Sequence, residues 1–551
     1  MRPETRRIAG FGVAALLTWL VGYPLLITLM EALGLPRGFS LEHFAEFARR
    51  PDEWQALWRS LWISAASVAL AGAVGIPLAF VFARTEFPGR RILGALVALP
   101  VALPPLVGVI AFMFLYGESG FVSRGLQSLL GLTEAPWRLS GPGAILLVHA
   151  YSMYVYFYLF TRAGLARLDV AMLEASASLG AGRVATLFRV TLPLLLPALV
   201  GASLLTFMTS LASFSAPYIF GGRFRVMTTQ IVASKLNGEL SMAQVETVTL
   251  AILAFLGLWA MRRIDPGRSV VVGGTRGVAP SRRVLRRPWV KAGAAALGWG
   301  LALLLLLPHL TLLLISFVPP GTWTIEALPP VLDTSNYESL VSTPERLRPV
   351  VNSVWMAIVA TAGAIVLGLA AARLSVKLRG RLGGALETLL SIPWAVPGTV
   401  FAISLATAFS VHAPALGRFV LVGTPWILPL AFLVRSLPLT GRSSLAGLRQ
   451  LDPAVEEASA SLGAGRWRTW RRVTLPLLRP AVAAGASLAF ITALGDFVAS
   501  IVLYTYDTRP ISIEILSSLR LQETGVAAVY GVLLMAVSAT AFLVWGREER
   551  I

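Results

Sequence analysis

Long apolar runs dominate this sequence and restrict what it can fold into. A run of about 20 apolar residues is long enough for a helix to cross a membrane. Of the 551 residues, 56% are hydrophobic and 14% are charged, and the mean hydropathy is +0.73. The chain is therefore predicted to be an all-α polytopic membrane protein with about 12 transmembrane helices. These helices are expected near residues 8–31, 58–83, 92–116, 143–164, 192–217, 243–262, 292–318, 350–373, 383–409, 420–441, 475–503 and 524–546.

One segment of 24 residues occurs twice in the chain. Residues 174–197 read EASASLGAGRVATLFRVTLPLLLP, residues 457–480 read EASASLGAGRWRTWRRVTLPLLRP, and 19 of the 24 positions are identical. The apolar helices around the segment have diverged much more, which indicates that one surface has to be preserved at two places. Since six predicted helices accompany each copy, the two copies enter the membrane from the same side as parallel repeats.

Each copy of this segment predicts a short helix, a turn and a second short helix. Small residues surround one leucine, Leu179 or Leu462, and this composition suits a helix packed closely into a partner's groove. Gly180 and Gly463 follow, and glycine adopts backbone angles that other residues avoid. The sequence Thr-Leu-Pro then indicates where the next helix begins, because proline is tolerated in the first turn of a helix.

The duplicated segment carries a recognisable motif. The first copy has it as Glu174-Ala175-Ser176, Gly180 and Val190-Thr191-Leu192-Pro193, and the second as Glu457, Ala458, Gly463 and Val473 to Pro476. This pattern resembles the EAA signature of binding-protein-dependent ABC importer permeases. Two departures occur in both copies, since serine stands for the third small residue and valine for isoleucine.

The resemblance implies a role for both copies. In that family the segment is a cytoplasmic coupling helix that docks into the ATP-hydrolysing subunit, and the coupling helices of this chain are expected at 169–188 and 452–471. The resemblance further implies that the ATPase is contacted by Glu174, Ala175, Leu179, Gly180, Glu457, Ala458, Leu462 and Gly463. A surface linker duplicated along with its domain is the alternative interpretation of the same repeat.

The chain is similar over nearly its whole length to fused permeases of type I ABC importers, and this implies three regions. A first permease repeat is expected over 1–262, a cytoplasmic linker over 263–289 and a second permease repeat over 290–551. The linker is rich in Gly, Pro and Arg and lacks apolar periodicity. Prolines at 100, 104 and 105 predict a kink or a break in the third helix, and the related run at 392–397 repeats the pattern.

The charge distribution predicts orientation. The net charge is +19, from 47 Lys and Arg against 28 Asp and Glu. With the amino terminus inside, 32 of those 47 basic residues fall in segments expected to be cytoplasmic, in agreement with the positive-inside rule. The chain is thus predicted to be a multi-pass protein of the bacterial inner membrane with both termini cytoplasmic. Orientation accounts for the charge without a nucleic-acid partner.

Several residues and motifs that carry chemistry in other proteins are absent from this sequence. It contains no cysteine, which excludes disulfides and thiolate metal sites. It contains no G-x-x-x-x-G-K-[ST] phosphate loop, so the chain is not expected to hydrolyse ATP by itself. We therefore expect a transport subunit that is not an enzyme, has no cofactor and no metal site of its own, and depends on a partner for energy.

Three residues are candidates for the translocation pathway: Ser213, Asp496 and Tyr504. Asp496 falls within the predicted eleventh helix, where an acidic group is costly and marks a polar cavity or a pairing site. Ser213 occupies the equivalent position of the first repeat. Tyr504 begins an outer loop that continues to Glu514 and would face an incoming substrate carrier.

The resulting prediction is the permease of an ATP-driven importer. Its expected partners are two copies of an ABC ATPase on the cytoplasmic side, a substrate-binding protein on the outer side and membrane lipid. The stretch from Asp496 to Glu514 resembles the ferric-iron members of the family most, and thiamine, phosphonate and polyamine remain alternative substrates. An ion-coupled secondary transporter is the alternative of a different class, with Asp496, His309 and Arg435 as ionisable candidates in the membrane.

Overall fold

The computed structural model describes residues 3–35, 38–98, 100, 104–264, 283–284, 287–323, 326–378, 380–410 and 420–546. These residues are almost all helical. The helices of the first half are α1 Pro3–Leu17, α2 Tyr23–Ala32, α3 Glu42–Arg49, α4 Pro51–Arg84, α5 Arg90–Ala98, α6 Pro105–Tyr116, α7 Phe121–Leu130, α8 Gly141–Ala166, α9 Val170–Ser178, α10 Arg183–Thr186, α11 Leu192–Leu211, α12 Ser215–Phe220, α13 Met227–Leu236 and α14 Leu240–Ile264.

The second half follows the same plan. Its helices are α15 Pro288–Ile315, α16 Ser335–Ser342, α17 Pro344–Lys377, α18 Arg381–Ala395, α19 Gly398–Ala408, α20 Ile427–Gln450, α21 Pro453–Ser461, α22 Arg466–Thr469, α23 Leu475–Leu494, α24 Val498–Leu503, α25 Ile511–Arg520 and α26 Thr524–Gly546. Single π-helical turns lie at Thr18–Gly22, Leu187–Thr191 and Trp470–Thr474. The last two occupy the same place in the two duplicated segments.

The predicted polytopic fold is confirmed, with one difference in the number of spans. Among the described residues, ten helices are long and apolar enough to cross a membrane, and an eleventh span results if α18 and α19 count as one bent crossing. The remaining predicted span, 420–441, corresponds to α20. This helix is long enough to cross but is less apolar, because it carries Arg435, Arg442 and Arg449.

The predicted breaks at the proline-rich runs are present in both halves. In the first half α5 ends at Ala98 and α6 begins at Pro105. In the second half α18 and α19 are bent by 108° around a break of a few residues at Pro397. Irregular backbone at membrane depth is tolerated where it is buried in protein or lines a cavity, so both breaks point to the interior of the bundle.

The prediction of one continuous helix over 475–503 is wrong. Helix α23 ends at Leu494 and α24 begins at Val498, and Asp496 lies in the break between them. The cause is local, because a carboxylate oxygen of Asp496 accepts the backbone N–H of Ala499 at 2.7 Å and so starts a new helix. The predicted helix 192–217 is broken at the equivalent place, between Leu211 and Ser215.

Each half is completed by the first helix of the other. Helices α1 and α2 pack against α18 and α19, and α15 packs against α5 and α6. Across the first contact the rings of Trp19 and Phe409 lie 5.5 Å apart. Helix α8 contacts α15 as well, since the Tyr151 hydroxyl donates to the carbonyl of Leu305 at 2.6 Å and lies 3.3 Å from His309 Nδ1. His309 thus takes part in a contact between the halves.

The structure describes part of the predicted linker 263–289. Arg283–Val284 pairs in parallel with Thr85–Glu86, the two residues that follow α4. Residues 265–282 and 285–286 of the linker lie outside the described residues.

Candidate functional site

The two coupling segments begin in the same way. Helix α9 starts after Asp169, whose side chain accepts the backbone N–H of Ala171 at 3.0 Å. Helix α21 starts after Asp452, which accepts the N–H of Ala454 at 2.9 Å. An aspartate in this position satisfies one of the free N–H groups at a helix start, and the start of both helices is fixed by the same device.

The turn after each short helix is also the same. Gly180 has a φ of +75° and Gly463 a φ of +77°. Their N–H groups donate to Ala177 and Ala460 respectively, at 2.9 Å in both copies. This left-handed conformation ends a helix at low cost only for glycine, and the predicted turn is confirmed.

A second contact folds the segment back on itself. The hydroxyls of Ser176 and Thr186 are 2.9 Å apart, and those of Ser459 and Thr469 are also 2.9 Å apart. Each pair joins the first short helix to the second. The predicted order of helix, turn and helix is therefore confirmed, and both copies present one shape.

The projecting surface of this shape consists of the residues that the sequence motif singled out. Leu179 is 88% exposed and Leu462 is 87% exposed. The motif residues beside them are exposed as well: Glu174, Ala175, Gly180, Glu457, Ala458 and Gly463. The same exposed surface is therefore present twice in the same geometry, and we refer to the two surfaces around Leu179 and Leu462 as the knobs.

The second coupling segment is held to the membrane helices by charge. The Glu456 carboxylate lies 3.2 Å from the ammonium of Lys377 and accepts the Thr474 hydroxyl at 3.1 Å. Burial by itself raises the pKa of Glu456, but these two partners and Arg373 outweigh burial and hold the pKa below its usual range. Arg373 also stacks on Trp470, with 3.7 Å from its guanidinium carbon to the ring centroid.

The equivalent positions of the first copy are apolar. Leu173 stands where the second copy has Glu456, and Leu187 where it has Trp470. The two knobs therefore have the same geometry, whereas the residues available to hold each coupling segment to the membrane helices differ.

The breaks in α11–α12 and α23–α24 bring the two halves together. Phe214 and Phe497 occupy equivalent positions, and their rings lie 5.4 Å apart across the boundary between the halves. Tyr218 packs on both, at 5.0 Å from Phe214 and 5.7 Å from Phe497. We refer to Phe214, Tyr218 and Phe497 as the aromatic contact. Ser213 and Asp496 directly precede its two phenylalanines.

Asp496 is buried and forms an ion pair with Arg435 of α20. Ser213 instead bonds to His149 of α8, with 2.9 Å between its hydroxyl and Nε2. The other ring nitrogen of His149 lies 2.8 Å from Ser67 and 3.2 Å from Ser210. Ser213 and Asp496, two of the three predicted pathway residues, are thus each paired to the long helix that precedes their coupling segment.

Tyr504 lies apart from these two residues. It follows the last turn of α24, and its side chain is 40% exposed. Charged pairs surround this loop, with Arg509 3.2 Å from Glu514 and Arg348 3.0 Å from Asp507. The structure therefore brings together Ser213 and Asp496 but not Tyr504.

Sequence reasoning missed a pair of buried carboxyl groups at the opposite end of the first half from the coupling segment. Glu53 and Glu246 are both fully buried. One oxygen of Glu53 accepts from Gln230 at 3.0 Å, and one of Glu246 accepts from Ser234 at 2.6 Å. The other two oxygens have no donor among the described residues, and the two carboxyl groups are neighbours. We predict that the two carboxyl groups share one proton, because it supplies the donor that both of these oxygens lack.

We expect Glu246→Gln to leave the thermal stability of the purified protein close to that of the wild type. The amide keeps the acceptor for Ser234 and supplies a donor to Glu53, as the shared proton does. Glu246→Leu should lower the midpoint of thermal unfolding, because an unsatisfied buried carboxylate costs about 1–3 kcal/mol. Equal midpoints for both variants would exclude a shared proton at this place.

Several known permeases are similar to this chain, either over most of its length or over part of it. A probable ABC transporter permease of Sinorhizobium fredii is 29% identical over 538 residues, which covers 96% of this chain and 94% of that protein. A ferric transport system permease of Actinobacillus pleuropneumoniae is 29% identical over 507 residues, 87% of this chain and 69% of that protein. A molybdenum transport system permease of Escherichia coli is 36% identical over 172 residues, 30% of this chain and 72% of that protein.

The family comparison matches each half separately. The model of the binding-protein-dependent transport system inner membrane component matches residues 75–270 and 364–546, which together make up more than half of the chain. Each matched segment contains one copy of the knob and one side of the aromatic contact. The chain therefore belongs to the family of binding-protein-dependent transport system inner membrane components, the permease subunits of ABC importers.

Proposed function

We propose that this chain is a two-repeat permease through which two ATPase subunits drive uptake. The observation that supports this most is the identical geometry of Leu179 and Leu462, each of which projects from a capped and clamped short helix. Each knob docks into one ATPase subunit on the cytoplasmic side, and both termini lie on that side. The halves correspond to 1–262 and 290–551, joined by the linker 263–289.

The aromatic contact closes the passage between the halves. ATP binding draws the ATPase subunits together and moves the two coupling segments. Because each segment continues into α11 or α23, that movement reaches the breaks at Ser213 and Asp496 and separates Phe214 from Phe497. The cavity then opens alternately toward a loaded binding protein and toward the cytoplasm.

The cargo that we propose is ferric iron. Two observations support it: a relative that covers 87% of this chain is a ferric transport system permease, and the region from Asp496 to Glu514 resembles the ferric-iron members of the family. Measuring which ligand stabilises the cognate binding protein, with ferric iron, thiamine, aminoethylphosphonate and spermidine compared, tests this choice directly.

Gly463→Val tests the coupling role. At a φ of +77° a β-branched residue is strained by about 1–2 kcal/mol or more, so the turn and the knob are displaced. We expect ATP-driven uptake into proteoliposomes to be lost while the protein still elutes as a folded species. Gly465→Val is the matched control, because Gly465 has an ordinary φ of −63° and open space around it.

Gly463→Asn should retain most of the uptake, because asparagine tolerates left-handed backbone better than other residues with side chains. Full uptake by Gly463→Val would contradict the proposed coupling role. Uptake that needs a proton or sodium gradient and no ATPase subunit would instead favour a secondary transporter.

A further inference from the structure

The Asp496 carboxylate has no free oxygen for a cargo ion. Its side chain is 2% exposed. One oxygen accepts the N–H of Ala499 at 2.7 Å and the other bonds to the guanidinium of Arg435. The backbone carbonyl of Asp496 is occupied as well, by the hydroxyls of Ser500 at 2.6 Å and Ser512 at 2.8 Å. Asp496 is therefore a buried structural group, and both of its carboxylate oxygens have partners in the protein.

Arg435 is the accessible member of the pair. Its side chain is 26% exposed, against 2% for Asp496. Among the described residues only Asp496 accepts a hydrogen bond from this guanidinium, through Nη1, which leaves its other N–H groups available. The guanidinium packs against Gly398, the first residue of α19. A Cβ atom at Gly398 would lie only 2.9 Å from the Cζ atom of Arg435. The absence of a side chain at Gly398 thus makes room for it.

The guanidinium of Arg435 lies close to the boundary between the halves. An arginine at membrane depth is costly unless it meets water or a polar partner. Arg435 lies between the broken span at Gly398 and the break at Asp496, and the next residue, Phe497, belongs to the aromatic contact. Both broken segments contact the other half, at α2 and α14 for α19 and at Pro104 for the break before Asp496. The accessible N–H groups of Arg435 are therefore next to the boundary along which the proposed passage runs.

The first half supplies no matching charge. Ser152 stands at the position equivalent to Arg435 and bonds to the carbonyl of Val148 at 2.8 Å. The partner of Ser213 is His149, which is 1% exposed and enclosed by serines. Among the described residues, the accessible charges next to the aromatic contact are therefore both positive: Arg435, and exposed Arg520, whose guanidinium donates to the Tyr218 hydroxyl at 2.9 Å.

We infer that cargo crosses this permease as an anion and that Arg435 is the residue that contacts it. A guanidinium donates paired N–H groups to carboxylate, phosphate or metal-oxyanion oxygens. The cargo class is thus an oxyanion, or ferric iron enclosed in an anionic oxygen-ligand complex, rather than a bare cation. This inference rests on the proposed importer function and specifies what passes the aromatic contact.

The test uses the full complex in proteoliposomes, with the ATPase subunits and the cognate binding protein. The probes are ferric iron with excess citrate, molybdate and spermidine, and uptake is measured per ATP hydrolysed. The variant is Arg435→Ser with Asp496→Ser, which reproduces the residues of the first half and leaves no unpaired charge. We expect uptake of the transported anion to fall about 10- to 100-fold, because a hydrogen bond to a charged group is lost.

Arg442→Ser is the matched control, since Arg442 is an exposed arginine on the same helix that stacks on Trp394, and its uptake should match the wild type. Wild-type uptake of spermidine in place of the anions would overturn the inference while leaving the importer function intact. Unchanged anion uptake by the double variant would also overturn it. ATP-independent uptake, or none for any probe, would overturn the proposed function itself.

Discussion

Replacing Leu179 and Leu462 together by aspartate should abolish capture of the ATPase by this permease. Each leucine is almost fully exposed, and burial of such a side chain in a partner contributes about 2 kcal/mol. Loss of one knob should weaken binding of an ATPase dimer about 30-fold, and loss of both about 1,000-fold, because the dimer contacts both knobs and these lie on separate segments. Titration of the purified permease with ATPase subunits measures this directly, and uptake should disappear with binding.

The control for this experiment is Leu129→Asp. Leu129 is 82% exposed, on α7, away from both coupling segments, and its replacement should not alter ATPase binding. Single variants at Leu179 and Leu462 should weaken binding to a similar degree, since the two knobs have the same geometry. Tight ATPase binding by the double variant would mean that the knobs are not the docking surface.

Asp496→Ala should be among the most destabilising substitutions in the chain. It leaves the guanidinium of Arg435 without its partner and removes the acceptor for the N–H of Ala499. Removal of one member of a buried ion pair costs about 3–5 kcal/mol, most of it from the charge that remains. The loss should lie at the lower end of that range, because the Arg435 side chain is 26% exposed. The midpoint of thermal unfolding of the purified protein should fall accordingly, and Arg435→Ser in the same chain should restore most of the loss.

An exposed ion pair serves as the comparison for the buried pair of Asp496 and Arg435. Arg449 and Glu387 are 2.6 Å apart, with side chains 58% and 33% exposed. Glu387→Ala should change stability by about 1 kcal/mol or less, because surface ion pairs contribute little. If Asp496→Ala lowers the unfolding midpoint no more than Glu387→Ala does, the pair with Arg435 is not a structural element of the second half.

The coupling segments could be predicted from sequence because their structure is local. An aspartate before the helix, a glycine after it and a serine–threonine contact ten residues apart fix the shape within one short stretch. The proline-rich breaks were also predictable, since a proline at Pro397 or Pro105 removes a backbone donor whatever surrounds it. Near-identity of the two copies then identified the surface that a partner requires.

The residues next to the aromatic contact were less predictable from the sequence, because tertiary contacts bring them together. Hydropathy does not distinguish an aspartate inside a helix from one in a break, and this is why Asp496 was placed in a continuous span. The partner of Asp496 is 61 positions away, and Glu53 and Glu246 are farther apart still. Periodicity within one helix carries no information on such pairs. The pairing of Ser213 with His149 was missed for the same reason.

The exchange of first helices between the halves has a consequence for biogenesis. Helices α5 and α6 are covered by α15, which the ribosome makes only after the linker has emerged, so the amino-terminal half remains unfinished until translation is well into the carboxy-terminal half. Joining the halves in one polypeptide keeps the missing piece at high local concentration. A cell that synthesised residues 1–262 alone would be expected to degrade them.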